Sequence, residues 1–292
     1  MRPFLLMLLL APALAYAAEQ AAIGVYVINA GKFDPQSGSY TVDFYLSYTC
    51  PQNCSPDFEF INGRALSVEK VIDEPAEKFY RIQASLQDPV DFRRFPFDSH
   101  DLTIEIEDKE RTKDELAFTV DDAQSGVEPS IQFVGWKLDG YDAKVEDHYY
   151  PPYGETFSKY TFTMGLERET ISSLLKVFAP VFFIMLLNFF AHFPDPDKIA
   201  TRITLHSSFL IAAVMFHVAI GNQLPPVGYL TVADKFMFAA YIPLAFSLFS
   251  AIVVLELSEE KKGDVVRKVH RASGVASFLL WLAGLAFVLL TM

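Results

Sequence analysis

Six residues of one apolar run recur at alternating steps of four and three: Thr204, Ser208, Ile211, Met215, Val218 and Asn222. On a helix, that spacing lays them along a single face. The face carries two hydroxyls at one end, then three apolar side chains, then a carboxamide. Hydroxyl oxygens can replace part of an ion's hydration shell, and a ring of apolar side chains can shut a narrow path by dewetting. Ser and Thr in membrane helices also bond back to their own carbonyls or across to a neighbour, so the stripe alone admits both a conducting and a packing role. His206 and His217 lie off the stripe, on faces that pack against other helices. Ionisable groups at such depth are either pH-responsive or neutral, hydrogen-bonded packing residues.

The stripe belongs to the second of four long apolar runs, at about 171–193, 199–220, 234–257 and 273–291. Each reaches roughly the 20 residues a helix needs to cross a bilayer. Ahead of them, Arg2, the apolar stretch Phe4 to Leu14 and the small residues Ala15, Ala17 and Ala18 read as a secretory signal peptide over residues 1–18. The expected organisation is therefore an exported domain at 19–168 and a transmembrane domain at 169–292. Four spans then leave both ends of the mature chain outside the cytoplasm. Lys261, Lys262, Arg267, Lys268 and Arg271 between the third and fourth runs, with Lys198 and Arg202 between the first and second, obey the positive-inside rule. The expected location is the inner (plasma) membrane, multi-pass, with the first domain periplasmic or extracellular.

From Glu19 to Arg168 the chain holds 28 acidic and 14 basic residues, against a net charge of −12 for the whole chain. An anionic surface of this kind argues against nucleic acid as a partner and favours cations nearby; keeping the domain soluble is the alternative reading. Alternating apolar and polar residues in segments such as "TVDFYLSYT", "HDLTIEIED" and "SKYTFTMGL", separated by turn residues, predict a β-sandwich without a long helix. Cys50 and Cys54 in "TCPQNC" read as a short disulfide on the exported side; two thiols without nearby histidines do not complete a zinc site. No nucleotide loop, metalloprotease helix or nucleophile elbow is present, and His100 and His148 stand apart in sequence, so no catalytic residue, cofactor or metal is assigned. The segment "FPFD", Phe95 to Asp98, is a turn by its proline and its hydrogen-bonding Asp. Its two phenylalanines need an apolar neighbour, which the foot of a sandwich resting on a membrane domain supplies.

In this order, "PDFEFINGR", "FPFD", "GLERET" leading into a first span that contains Pro180, and "LPPVGYLTVADKF" after the second span make the chain resemble the pentameric ligand-gated ion channels, or Cys-loop receptors, in their short prokaryotic form. The resemblance covers almost the whole mature chain. It implies an all-β sandwich followed by an all-α four-helix transmembrane domain, assembled as a homopentamer around a central pore in membrane lipid. The chain departs from the animal receptors in two respects. Their signature-loop disulfide would fall near Asp88 and Leu102, where no cysteine stands, and the third-to-fourth connection is too short for a cytoplasmic domain.

The resemblance also implies roles. Thr204 to Asn222 become the pore lining, with Ile211, Met215 and Val218 as the hydrophobic gate. Asp195, Asp197 and Thr204 lie where the family places its charge filter, which favours cations. The position that usually carries the selecting glutamate is nevertheless Ala200 or Thr201, and Lys198 and Arg202 are close by. A small-molecule agonist of unstated identity would bind between adjacent sandwiches under the hairpin "EDHYYPPYGETF", against Tyr149, Tyr150 and Tyr153 with Phe60 nearby. A second aromatic is missing just beyond the signature loop, where the polar run Glu107 to Arg111 stands. Primary amines, protons and divalent cations all remain open as agonists. Coupling would run from Phe95, Pro96, Phe97, Asp98 and Arg168 to the turn carrying Pro225, Pro226 and Tyr229. The alternative is a membrane-anchored periplasmic sensor whose spans only tether it.

Overall fold

A computed structural model describes residues 18–194, 198–260 and 263–292. The signal-peptide segment lies outside these residues but for Ala18, and so do Asp195, Asp197, Lys261 and Lys262.

Ten strands come first: β1 (Glu19–Ala30), β2 (Ser39–Thr49), β3 (Phe58–Phe60), β4 (Gly63–Asp73), β5 (Glu77–Gln87), β6 (Ser99–Asp108), β7 (Leu116–Val120), β8 (Gly126–Val127), β9 (Trp136–Tyr150) and β10 (Glu155–Arg168). One sheet runs β4-β5-β2-β1-β7, with β8 also on β1; the other runs β3-β6-β10-β9. Period-two alternation decides which residues face inward. Val42, Phe44 and Leu46 of β2 meet Leu102, Ile104 and Ile106 of β6 and Phe162, Met164 and Leu166 of β10 in one buried core. Cys50 and Cys54 are joined by a disulfide, and both are buried at the edge of this core.

Four helices follow: α1 (Thr170–Phe190), α2 (Ile199–Gly221), α3 (Val232–Glu259) and α4 (Gly263–Leu290). All four are long and apolar enough to cross a membrane, so the chain is a sandwich followed by a multi-pass helical domain. Two prolines directly after Leu224 cannot continue α2. Thr231 restarts the helix as the N-cap of α3 in a reciprocal capping box with Asp234. The last helix is the clearest departure from the apolar-run reading. It begins at Gly263, so that Arg267, Lys268 and Arg271 sit on its first turns instead of in a connection. An apolar window marks only the part of a helix in lipid; charged residues with good helix propensity carry it further into water.

Candidate functional site

The joint between sandwich and helices is built on unfilled hydrogen bonds. A helix leaves its first N–H groups without partners. On α3 these are filled from the other domain: Val232 N donates to the Arg93 carbonyl at 3.1 Å and Ala233 N to the Phe95 carbonyl at 3.1 Å. The next N–H, that of Asp234, goes to the Thr231 hydroxyl. The Phe92 amide donates to the Tyr229 hydroxyl at 2.9 Å, and Arg93 lies over the Tyr229 ring. Phe92 and Phe95 are buried with Val232, Ala233 and Phe236, and Leu224, Val227 and Tyr229 pack against the same cluster. From Phe97 a chain of rings continues inward through Phe178 on α1 (5.9 Å), Phe236 on α3 (4.6 Å) and Trp281 on α4 (5.4 Å). The Phe95–Pro96 peptide is cis. The structure thus brings Phe95, Phe97 and Tyr229 together, while Pro226 is exposed and Pro225 half-buried beside them.

Asp98 is the buried centre of this joint. Arg168 grips it side-on, Nε to Oδ1 at 2.7 Å and Nη2 to Oδ2 at 2.8 Å, and His100 Nε2 meets Oδ2 at 2.8 Å. The guanidinium is held over Trp136 at 4.3 Å and Phe95 at 5.1 Å. Burial pushes the Asp98 carboxyl up. The hydrogen bonds from His100 and Arg168, with the Arg168 charge, outweigh that and hold it below its usual value. His100 stands apart in sequence, but its structural role is plain: its ring lies among Phe33, Phe92 and Trp136.

Asp88, near which the resemblance would place one end of a disulfide, carries a carboxylate held by several hydrogen bonds. Asp88 accepts from Thr103 N (2.6 Å), Thr103 Oγ1 (2.8 Å) and Tyr40 (2.6 Å), with Asn62 Nδ2 at 3.2 Å. These bonds tie Asp88, ahead of the Phe95–Asp98 turn, to Thr103 beyond it.

On the outer face of the β6-β10-β9 sheet, the hairpin tyrosines divide. Tyr149 and Tyr153 are exposed, whereas Tyr150 turns inward and donates to Glu107 Oε2 at 3.0 Å. His148 Nδ1 lies 2.5 Å from the other Glu107 oxygen, and its ring is 4.3 Å from that of Tyr150. Burial and the Glu107 carboxylate push the Tyr150 hydroxyl up to about 12. Read in sequence as a gap in the aromatic set, Glu107 is in the structure a carboxylate almost fully buried beneath those rings. Lys159, bridging Glu105 and Glu146 beside it, leaves the patch acidic. Phe60 does not join this group, because β3 turns it into the core, edge-on to Phe44 at 5.9 Å.

On α2, all six stripe residues are exposed, while Ile199, Arg202, His206, Ala213 and Ile220 are buried against the other helices. Ile211, Met215 and Val218 keep 63%, 64% and 55% of their surface free, so the chain's own bundle does not cover them. The Thr204 hydroxyl donates to the Ala200 carbonyl at 3.0 Å and that of Ser208 to Thr204 at 2.8 Å. Back-bonding occupies the hydroxyl hydrogens and leaves oxygen lone pairs on the exposed side. His217, off the stripe, joins Asp234 (2.9 Å) and the Tyr241 hydroxyl (2.9 Å) of α3. A further contact escaped the sequence reading: Gln36, on the β1–β2 turn, donates to the carbonyl of Asn222 at the end of α2 at 3.3 Å.

No family model matches the chain. Among curated proteins it is 22% identical over 280 residues to a proton-gated ion channel of Gloeobacter violaceus, covering 87% of this chain and 77% of that one. It is 25% identical over 242 residues to the glycine receptor subunit beta of Homo sapiens, covering 75% of this chain and 47% of the relative, about half of that subunit's length. The neuronal acetylcholine receptor subunit alpha-10 of Rattus norvegicus is 23% identical over 168 residues, or 58% of this chain and 37% of the relative.

Proposed function

We propose that this chain, which belongs to the superfamily of pentameric Cys-loop ligand-gated channels, forms a homopentameric, cation-conducting channel whose pore is lined by α2. The observation that carries this reading is the unburied stripe from Thr204 to Asn222, which its own bundle leaves free. Five copies around an axis would give those side chains a common aqueous path, with Thr204 and Ser208 at the inner end and Ile211, Met215 and Val218 as the constriction. Cation preference is supported by the orientation of the two hydroxyls, which offer lone pairs and not hydrogens, and by the acidic first domain. Asp195 and Asp197 would add to it at the inner mouth. Membership of a channel family leaves no enzymatic role.

The sandwich at 19–168 is the agonist domain in this proposal, exported behind a signal peptide into the periplasm or extracellular space, and residues 169–292 are the membrane domain. Tyr149, Tyr153 and the Glu107–His148–Tyr150 cluster would receive a small cationic agonist, since a buried carboxylate under aromatic rings suits an ammonium group. Gating would pass through Phe95 to Asp98 and Arg168 to α3, and through the Pro225–Tyr229 turn to α2. Cysteine accessibility in the reconstituted protein tests the pore. Thiol reagents in the aqueous phase should modify cysteines placed at 204, 208 and 211 and block current, and should leave Ala213→Cys untouched. Reaction at 213 with none at 204 and 208 refutes it.

A further inference from the structure

Near the cytoplasmic end of the bundle, behind the stripe, α1, α2 and α4 enclose a cluster of basic side chains that the proposed pore does not use. Arg202, on the first turn of α2, and His206, one turn later, are fully buried. The ring of His192, just beyond α1, lies 4.9 Å from that of His206. From α4, His270 meets Arg202 Nη1 through its Nδ1 at 2.6 Å. Among the described residues, α3 brings no titratable group into the hydrogen bonds of this cluster, only the Ser247 hydroxyl on Asn188.

The hydrogen bonds settle which ring nitrogens carry protons. Asn188 donates through Nδ2 to Ser247 (3.1 Å) and Ser277 (3.4 Å), so its Oδ1 accepts and His206 Nδ1, 2.8 Å away, is the donor. His192 Nδ1 likewise donates to the Asn188 carbonyl at 3.0 Å. Four buried polar atoms then have no partner among the described residues: Nε2 of His192, Nε2 of His206, and both Nε and Nη2 of Arg202. The last two form one edge of the guanidinium, the side-on fork that matches an anion. A guanidinium keeps its charge, and one buried without a counter-charge is among the costliest arrangements an interior can hold.

We infer that this cluster is a binding site for a small inorganic anion of the halide class, held by the Arg202 Nε–Nη2 fork, with His206 and His192 adding Nε2–H donors as they take up protons with it. Water would satisfy the hydrogen bonds but not the charge, and a metal cation is opposed by the guanidinium. Asn188, Arg202 and His206 are fully buried, which favours a small monatomic anion over a larger oxyanion.

The test uses the full chain in detergent at constant ionic strength, with chloride or bromide exchanged for gluconate. Chloride should raise the thermal midpoint by about 2–4 °C. The rise should be larger at about pH 5.5 than at about pH 8, on either side of the usual imidazole range. Arg202→Gln should abolish the halide effect. Should that variant fail to fold, wild-type crystals grown in bromide should still show an anomalous peak beside Arg202 Nε. Equal midpoints in chloride and gluconate at both pH values would overturn the site. So would a halide effect that survives Arg202→Gln, or crystals in which water or a carboxylate of Asp195 or Asp197 occupies the fork.

Discussion

Replacing Asp98 by Asn tests the joint at its most buried point. The carboxylate has no solvent exposure of its side chain and receives three short hydrogen bonds, two from Arg168 and one from His100. Asparagine keeps the shape but has one acceptor oxygen, so its NH2 must face a donor from Arg168 or His100. Each charged hydrogen bond contributes about 1.5–3 kcal/mol, and breaking a buried pair from one side costs about 3–5 kcal/mol. The Arg168 side chain is 17% exposed and keeps its two aromatic faces, so the lower half of that range is expected. For a chain of this size, that is a fall in thermal midpoint of about 6–16 °C. A double-mutant cycle with Arg168→Met should return a coupling of about 1–3 kcal/mol. The pH dependence has a definite sign. A carboxyl held below its usual 3.8 stabilises fully above that value and loses its contribution only as pH falls through the lower, folded value. Stability between about pH 5 and pH 7 should therefore be insensitive to Asp98. Asp98→Asn within about 0.5 kcal/mol of wild type, or additive with Arg168→Met, would refute the reasoning.

On the proposed function, Ile211→Ala should ease wetting of the constriction and raise open probability without changing surface abundance; single-channel recording decides, and unchanged opening removes Ile211 from the gate. Glu107→Gln should weaken a cationic agonist by about 10–100-fold in dose–response currents, the equivalent of one charge-assisted hydrogen bond. Wild-type sensitivity would mean that the hairpin cluster is structural. Gln36→Ala touches one exposed hydrogen bond and should shift stability by no more than about 0.5 kcal/mol, yet alter the midpoint of activation; a gating curve that coincides with wild type would count against that contact as a coupling element.

The sequence made the layers legible because both periods are strong. Alternation in β2, β6 and β10 announces a half-buried sheet, and runs of apolar residues announce membrane helices. The α2 stripe was legible for the same reason, since spacing alone predicts a shared face. Two kinds of feature were not. The first is burial against pattern: Glu107 sits at an outward position of β6, and only the fold of the hairpin over it turns a surface acid into a buried one. Phe60 is the converse, an aromatic expected near the ligand that the register of β3 on β6 sends into the core. The second is contact between segments far apart in the chain. Nothing in the neighbourhood of Asp88 says that Tyr40, Asn62 and Thr103 will converge on it, nor do Asn188 and Arg202 announce the polar cluster between the helices. Those pairings are fixed by tertiary packing, which a single sequence does not display.

The joint is asymmetric, and the asymmetry bears on how one domain can move the other. The signature turn is bound to α3 by two backbone hydrogen bonds, a buried aromatic cluster and a ring chain that reaches α4. Its carbonyls replace the missing turn of α3, so sliding the turn away would leave buried N–H groups unpaired, at about 1–3 kcal/mol each. The end of α2 is held differently: Gln36 meets the Asn222 carbonyl at 3.3 Å, in water, and the two prolines beyond it donate no hydrogen bond at all. An exposed contact of that kind exchanges for water at almost no cost. The sandwich is thus held to α3 directly, and to α2 by the exposed Gln36 bond and by the turn that carries Tyr229. A rotation of the sandwich that carries α3 with it would slip at α2 first, which is the relative motion that a gate made of α2 side chains requires.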